Sequence, residues 1–249
     1  MLLLPVRLLP RLAVPVIASL LLVAPSVRAV PLLTAGYEAQ IEAWLGQGDV
    51  AFSSLYTSQA GDDAADFHAA ADGQGATIVL MKISGRGSAG TFDLPTQVIG
   101  GYNPQSWTSS AVSGVTAMTQ TPNDADRTAF IFNLTDTVIQ RQNLSTEGLG
   151  NLGLYQANNY ALLGPSFGFS DLAVWDTLLQ GSASNRSYGG TTFGNEIVSG
   201  GPNAGSVYYF NVEQLEVYRV PSPVPDSGST ALLMLSGCLL LVSWRRKYC

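Results

Sequence analysis

Apolar positions in this chain change their spacing about a third of the way along. Behind Thr34, the residues Tyr37, Ile41, Trp44 and Leu45 recur at helical intervals, with Glu38 and Glu42 on the polar side and Gly46 closing the run. A second, shorter helix is predicted over 63–71, with Asp62, Asp63 and Asp66 near its positive end and Gly73 just past its C-cap. After Gly75 the texture becomes β-branched and apolar, broken by Gly, Asn, Pro and Ser, which predicts strands over 77–83, 96–102, 128–134, 137–142, 160–163, 171–175 and 207–219. No helices are spaced between them, so the strands should run antiparallel. The expected fold is mainly β with a few α-helices, a two-layer antiparallel β-sandwich with a helical N-terminal portion. Trp44, Phe130, Phe132 and Val217 are expected in its core. The segment 180–205, rich in Gly, Ser and Asn, is expected to form long surface loops.

The two ends read differently. Arg7 and Arg11 precede an apolar stretch over 12–24, and Val27-Arg28-Ala29 offers the small residue a signal peptidase needs, so 1–29 is read as a signal peptide. At the other end Val224-Pro225-Asp226-Ser227-Gly228 is followed by an apolar run over 230–244 and by Arg245, Arg246 and Lys247. As a helix at ~1.5 Å per residue that run reaches only ~22 Å, short of the ~30 Å hydrocarbon core, which suits a transient anchor. The basic cluster would keep the extreme end in the cytoplasm. The order of Pro-containing motif, apolar helix and basic end resembles the PEP-CTERM class of bacterial sorting signals in its VPDSG variant. That resemblance implies cleavage at the motif by an exosortase-type membrane protease and transfer of the ectodomain to the cell surface or extracellular matrix.

Between the ends lies an ectodomain of residues 30–223, the length of one domain with one core. It carries 17 acidic and six basic residues, a net charge of −11. That balance argues against nucleic acid as a partner, because a phosphate backbone is bound through Lys and Arg. The two cysteines, Cys238 and Cys249, both lie in the terminal tag, so the ectodomain must hold together without a disulfide. With His68 the single histidine, thiolate and multi-histidine metal sites are excluded as well, and no cofactor is indicated.

A family resemblance covers nearly all of 32–220. Leu33-Thr34, Trp44-Leu45-Gly46, Leu55-Tyr56 and Phe67-His68, then Asp72-Gly73-Gln74-Gly75-Ala76-Thr77, are similar to the opening of the TLDc domain. In family order follow Ile99-Gly100-Gly101-Tyr102 with Trp107, the run from Ala129 to Leu134, Gly164-Pro165-Ser166-Phe167-Gly168 with Asp171-Leu172, the run from Asn185 to Tyr188, and the run from Val212 to Tyr218. The resemblance implies a pair of antiparallel sheets with a few helices and no assigned catalytic machinery. Eukaryotic TLDc domains are associated with protection from oxidative damage and with the vacuolar proton pump, a partner an exported bacterial protein would not meet. Ser166 stands where members often have Thr, and Phe169-Ser170 replaces a more glycine-rich stretch before Asp171.

Several short patterns suggest chemistry. Gly164-Pro165-Ser166-Phe167-Gly168 fits the G-x-S-x-G nucleophile elbow, but strand-like residues follow where an elbow needs a helix, so a tight turn is expected, with Ser166 out of reach of His68 and no carboxylate orienting that histidine. Gly85-Arg86-Gly87-Ser88-Ala89-Gly90 fits G-x-G-x-x-G, yet Pro95 comes too early for the helix a dinucleotide site requires, and a loop between strands is expected. Asp124 and Asp126 could offer oxygen ligands, but their spacing does not make a calcium loop, and loop solvation or capping is expected. The triplets beginning at Asn133, Asn143 and Asn185 read as chance N-glycosylation patterns. Tyr209 and Tyr188 either pack in the core or, exposed on one surface, stack against sugar rings. The function expected is an exported, non-enzymatic domain that binds matrix polysaccharide or protein or serves structurally. The alternative is a secreted hydrolase using carboxylates such as Asp124, Asp126 or Asp171.

Overall fold

Thr34 and Gly46 bound the first helix as the sequence predicts. In the computed structural model, whose described residues are 30–85, 94–147, 149–189, 197–199 and 207–221, α1 spans Ala35–Leu45. Thr34 is extended and its hydroxyl accepts from the Tyr37 N–H, while Gly46 takes the left-handed conformation (φ 67°) that only a residue without Cβ adopts freely. Helix α2 (Ala64–Ala71) begins in a reciprocal capping box between Asp63 and Asp66, and Gly73 follows its C-cap at φ 72°. Of the G-x-G-x-x-G pattern only Gly85 is among the described residues; 86–93 lie outside them.

The strands are β1 (Ser53–Thr57), β2 (Thr77–Ser84), β3 (Gln97–Asn103), β4 (Met118–Gln120), β5 (Phe130–Asn133), β6 (Val138–Arg141), β7 (Tyr155–Asn158), β8 (Leu163–Phe167), β9 (Leu172–Trp175), β10 (Gln180–Ala183) and β11 (Tyr208–Arg219). All pair antiparallel, in the order β4-β7-β8-β9-β10-β11-β2-β3-β5-β6. The twelve-residue β11 pairs with β2 along one edge, and on its other edge with β10 at one end and β1 at the other. The protein is thus mainly β and antiparallel, with two helices. The expected pair of separate sheets is corrected, because the strands join in one eleven-stranded sheet that curls until Phe167 of β8 reaches Gly101 of β3.

Strand β2 shows why its sequence is apolar without alternation: both of its faces are covered. Ile78 and Leu80 point into a cluster with Ile41, Tyr102, Phe130, Phe132 and Tyr218. Val79, Met81 and Ile83 point into the opposite one with Phe67, Trp107, Ile131, Phe167 and Val217. Phe130, Phe132 and Val217 are buried as expected, whereas Trp44 is only half-buried.

Two segments depart from expectation. Within 160–163, Tyr160 makes only an isolated bridge with Ser110 before the chain turns into β8. Within 180–205, β10 is a paired strand, and Ser182, Ser184, Asn185, Ser187 and Tyr188 are buried instead of looping over the surface. The rest of that segment, apart from 197–199, lies outside the described residues.

Candidate functional site

Asp171 is the most enclosed carboxylate among the described residues. Between β8 and β9 the chain reverses through Gly168 (φ 62°) and Ser170 (φ 66°), which delivers the Asp171 side chain into the interior. Its Oδ1 accepts three consecutive backbone N–H groups, from Arg186 (2.6 Å), Ser187 (2.7 Å) and Tyr188 (3.1 Å). Its own N–H donates to the Phe167 carbonyl and its carbonyl accepts from Ser184. A Cβ on Gly168 would stand 2.2 Å from Oδ2, so the turn needs glycine for space as well as for φ. Burial pushes the Asp171 pKa up to about 6, against the downward pull of the three N–H donors. The Tyr188 hydroxyl, fully buried, donates to the Gln156 carbonyl, which settles that ring as core and removes it from any sugar-stacking platform. Tyr209, half-buried, meets Trp175 at 5.9 Å. Asp171 therefore braces a turn and does not face solvent.

Ser166 corrects the expected turn. It lies on β8, opposite Ala173 of β9, fully buried, and its Oγ makes no hydrogen bond among the described residues; the turn begins two residues later. The expectation that no carboxylate orients His68 is also corrected. Its Nδ1 is 2.8 Å from Asp72 Oδ1, four residues on, and Asp72 Oδ2 accepts from the Ser109 hydroxyl at 2.5 Å. The Nε2 of the same ring is 3.1 Å from the Leu163 carbonyl. Both ring nitrogens are thereby occupied and neither bonds Ser166. The arrangement ties α2 to β8 and lacks a nucleophile.

Asp124 and Asp126 flank a single 3-10 turn (Asp124–Asp126). Asp124 accepts from the Ser145 hydroxyl (2.7 Å) and N–H (2.9 Å) and pairs with Arg127 at 3.1 Å. Those bonds, Ser145's first, hold its pKa below the usual carboxylate range. Asp126 accepts from the Asn123 side chain. Asn133, Asn143 and Asn185 are all buried, so their triplets are chance patterns.

The opening that sequence reasoning missed lies on the other face of the sheet, a cavity of about 280 Å³. Trp44, Leu45 and Gln47 line it from the end of α1 and just beyond; Tyr102 from β3; Arg127 and Thr128 from the segment before β5; Phe130 from β5; and Arg141 from the end of β6. Arg141 donates from Nη2 to the Trp44 carbonyl at 3.1 Å and lies over the Phe130 ring at 5.5 Å. Trp44 meets Phe130 edge-on at 6.5 Å and Phe132 at 5.6 Å. Arg127 is buried and its N–H groups go to the carbonyls of Thr121, Pro122, Asn143 and Gly150. Burial raises the Tyr102 pKa, partly opposed by a hydrogen bond with Gln47. The lining contains two of the six basic residues of 30–223 and no carboxylate.

The order of strands and the Gly168-to-Asp171 turn sit within a stretch, residues 47–221, that matches the TLDc domain. The chain belongs to the TLDc family. The match begins after α1, so the helix that covers one face of the sheet precedes it. Residues 223–248 match the VPDSG-CTERM motif, which implies export and processing by exosortase-type sorting machinery for the cell surface. Val224, Pro225, Asp226, Ser227 and Gly228, the flanking Arg245, Arg246 and Lys247, and the apolar stretches 12–24 and 230–244 all lie outside the described residues. Among the described residues no helix is long and apolar enough to cross a membrane. No curated protein matches the chain.

Proposed function

We propose that this TLDc-family protein is cleaved at Val224-Pro225-Asp226-Ser227-Gly228 by an exosortase-type membrane protease and retained at the cell surface or in the exopolysaccharide matrix as a non-enzymatic binding or structural component. The observation that carries this reading is the VPDSG-CTERM motif joined almost directly to the end of the TLDc domain, at 223 and 221 respectively. The side chains support binding over hydrolysis. A glycosidase needs two carboxylates facing one substrate, yet Asp171 is enclosed and Asp124 is engaged by Ser145 and Arg127. Ser166 has no base, since His68 is held by Asp72 and the Leu163 carbonyl.

The test is intact-mass measurement of the protein recovered from membrane, surface and matrix fractions. Surface and matrix material should end within or beside 224–228 and lack residues from 230 onward. Full-length chain confined to the inner membrane would overturn the proposal. So would labelling of Ser166 by a fluorophosphonate that His68→Ala abolishes.

A further inference from the structure

We propose that the pocket between the end of α1 and strands β3, β5 and β6 holds one carboxylated sugar residue of an acidic polysaccharide, with Arg141 gripping the carboxylate and Trp44 stacking on the ring. The inference rests on the surface-binding reading above and names its ligand.

Arg141 is exposed, and among the described residues no Asp or Glu pairs with it. One N–H is anchored on the Trp44 carbonyl and the guanidinium is held over the Phe130 ring. Its remaining N–H donors have no protein partner among the described residues. A planar fork fixed in this way suits a carboxylate, which can accept two parallel N–H groups. Arg127 also lines the pocket but is occupied by backbone carbonyls and by Asp124. The site therefore offers one usable cation, which suits a monoanion better than a phosphate.

The rest of the lining suits a hydroxylated ring. Trp44 is half-buried and presents an apolar face with a polar edge, the kind of side chain that packs on the C–H side of a sugar. Gln47 and Thr128 are exposed at the rim and can both donate to and accept from sugar hydroxyls. At about 280 Å³ the cavity falls just below the ~300–1,000 Å³ range of ligand sites, sized for a single ring instead of a chain lying along a cleft. The absence of carboxylates from this lining stands out in an ectodomain with 17 of them. Over the ectodomain as a whole that charge repels a polyanion, and the lining around Arg141 is free of it.

The proposal is tested by calorimetric titration of the full chain in detergent with oligogalacturonate, free galacturonate, glucose, and a tripeptide with a free C-terminal carboxylate. Both uronates should bind and glucose should not. Arg141→Gln should weaken oligogalacturonate binding by ~10–100-fold, the loss of a charge-assisted pair. Arg219→Gln, which removes an exposed arginine on β11 away from the pocket, should leave it unchanged. Should Arg141→Gln fail to fold, Thr128→Ala at the exposed rim decides, with an expected ~2–10-fold loss. Glucose binding as tightly as galacturonate, binding of the free sugar without the oligomer, preference for the peptide, or unchanged affinity in folded Arg141→Gln or Thr128→Ala would each overturn the assignment. If the protein fractionates with the matrix yet binds no uronate, this inference fails and the surface reading stands. If it is absent from surface and matrix fractions, the surface reading itself fails.

Discussion

The two faces of the central sheet are closed in different ways. Behind Val79, Met81 and Ile83 the chain supplies its own cover: α2, Trp107, and the β8–β10 part of the same sheet, with Phe67, Trp107 and Phe167 stacked edge-to-face at 5.3–5.5 Å. Behind Ile78 and Leu80 the cover is α1, whose Tyr37, Trp44 and Leu45 are only partly buried. That helix is fastened through Glu216 of β11, which accepts from the Leu32 N–H (2.9 Å), the Tyr218 hydroxyl (2.6 Å) and the Gln214 amide (2.7 Å). Because one helix cannot span four strands, a pocket remains beside its C-terminal end. Rigidity concentrates on the first face and room for a ligand on the second.

The largest effect should come from the closed face. Phe167→Ala removes a fully buried ring that contacts Trp107 and the backbone at Gly101, and should cost ~3–5 kcal/mol in urea unfolding. Trp44→Ala on the open face should cost less, since that indole is only partly buried. Equal losses would abolish the distinction between the faces.

Asp171 sharpens the comparison through pH. Its folded pKa of about 6 lies above the unfolded value of 3.8, so between these the native state binds more protons than the unfolded chain. Its contribution is then fully favourable below about pH 4 and is lost as pH rises through about 6, a decline of order 1–3 kcal/mol. Asp171→Asn keeps an acceptor for the three N–H groups and should flatten that decline. A stability profile in which wild type gains between pH 4 and 6, or in which the variant retains the wild-type slope, contradicts this account.

Legibility followed the locality of the forces. The helix boundaries at Thr34, Gly46, Asp63 and Gly73 were readable because caps act within four residues, β2 and β5 because burial on both faces leaves an apolar run, and β3 and β11 because their β-branched and aromatic residues mark them as strands. Strand β10 reads as loop because close packing demands small residues: a Cβ at Gly181 would meet the Ala173 carbonyl at 2.4 Å and Phe210 at 2.5 Å. Gly164 of β8 is similarly confined by Leu178, at 2.5 Å, which makes a strand resemble a turn motif. The His68–Asp72 pair was signalled by its i,i+4 spacing across the end of α2. The pocket left no sequence signal, since Trp44, Tyr102 and Arg141 meet only through the register of β3, β5 and β6.

The smallest difference expected between the faces lies in the caps of the helices that cover them. In α2 the Asp63 side chain accepts the Ala65 N–H at 2.8 Å while Asp66 returns to the Asp63 N–H at 3.0 Å, so two donors are satisfied reciprocally. In α1 Thr34 accepts the Tyr37 N–H at 3.3 Å, a longer and solvent-exposed bond. Asp63→Ala should therefore cost ~1–2 kcal/mol and Thr34→Ala ~0.5–1 kcal/mol. Hydrogen exchange discriminates further: Thr34→Ala should speed only the first-turn amides of α1, because Ile41 is fully buried and keeps the later turns seated on Ile78 and Leu80. Asp63→Ala should lower protection along the whole of α2 and at β8, which it reaches through His68 and the Leu163 carbonyl. If Thr34→Ala instead exposed all of α1 to exchange, the helix would be held by its cap and not by the sheet, and the open face would be weaker than its packing indicates.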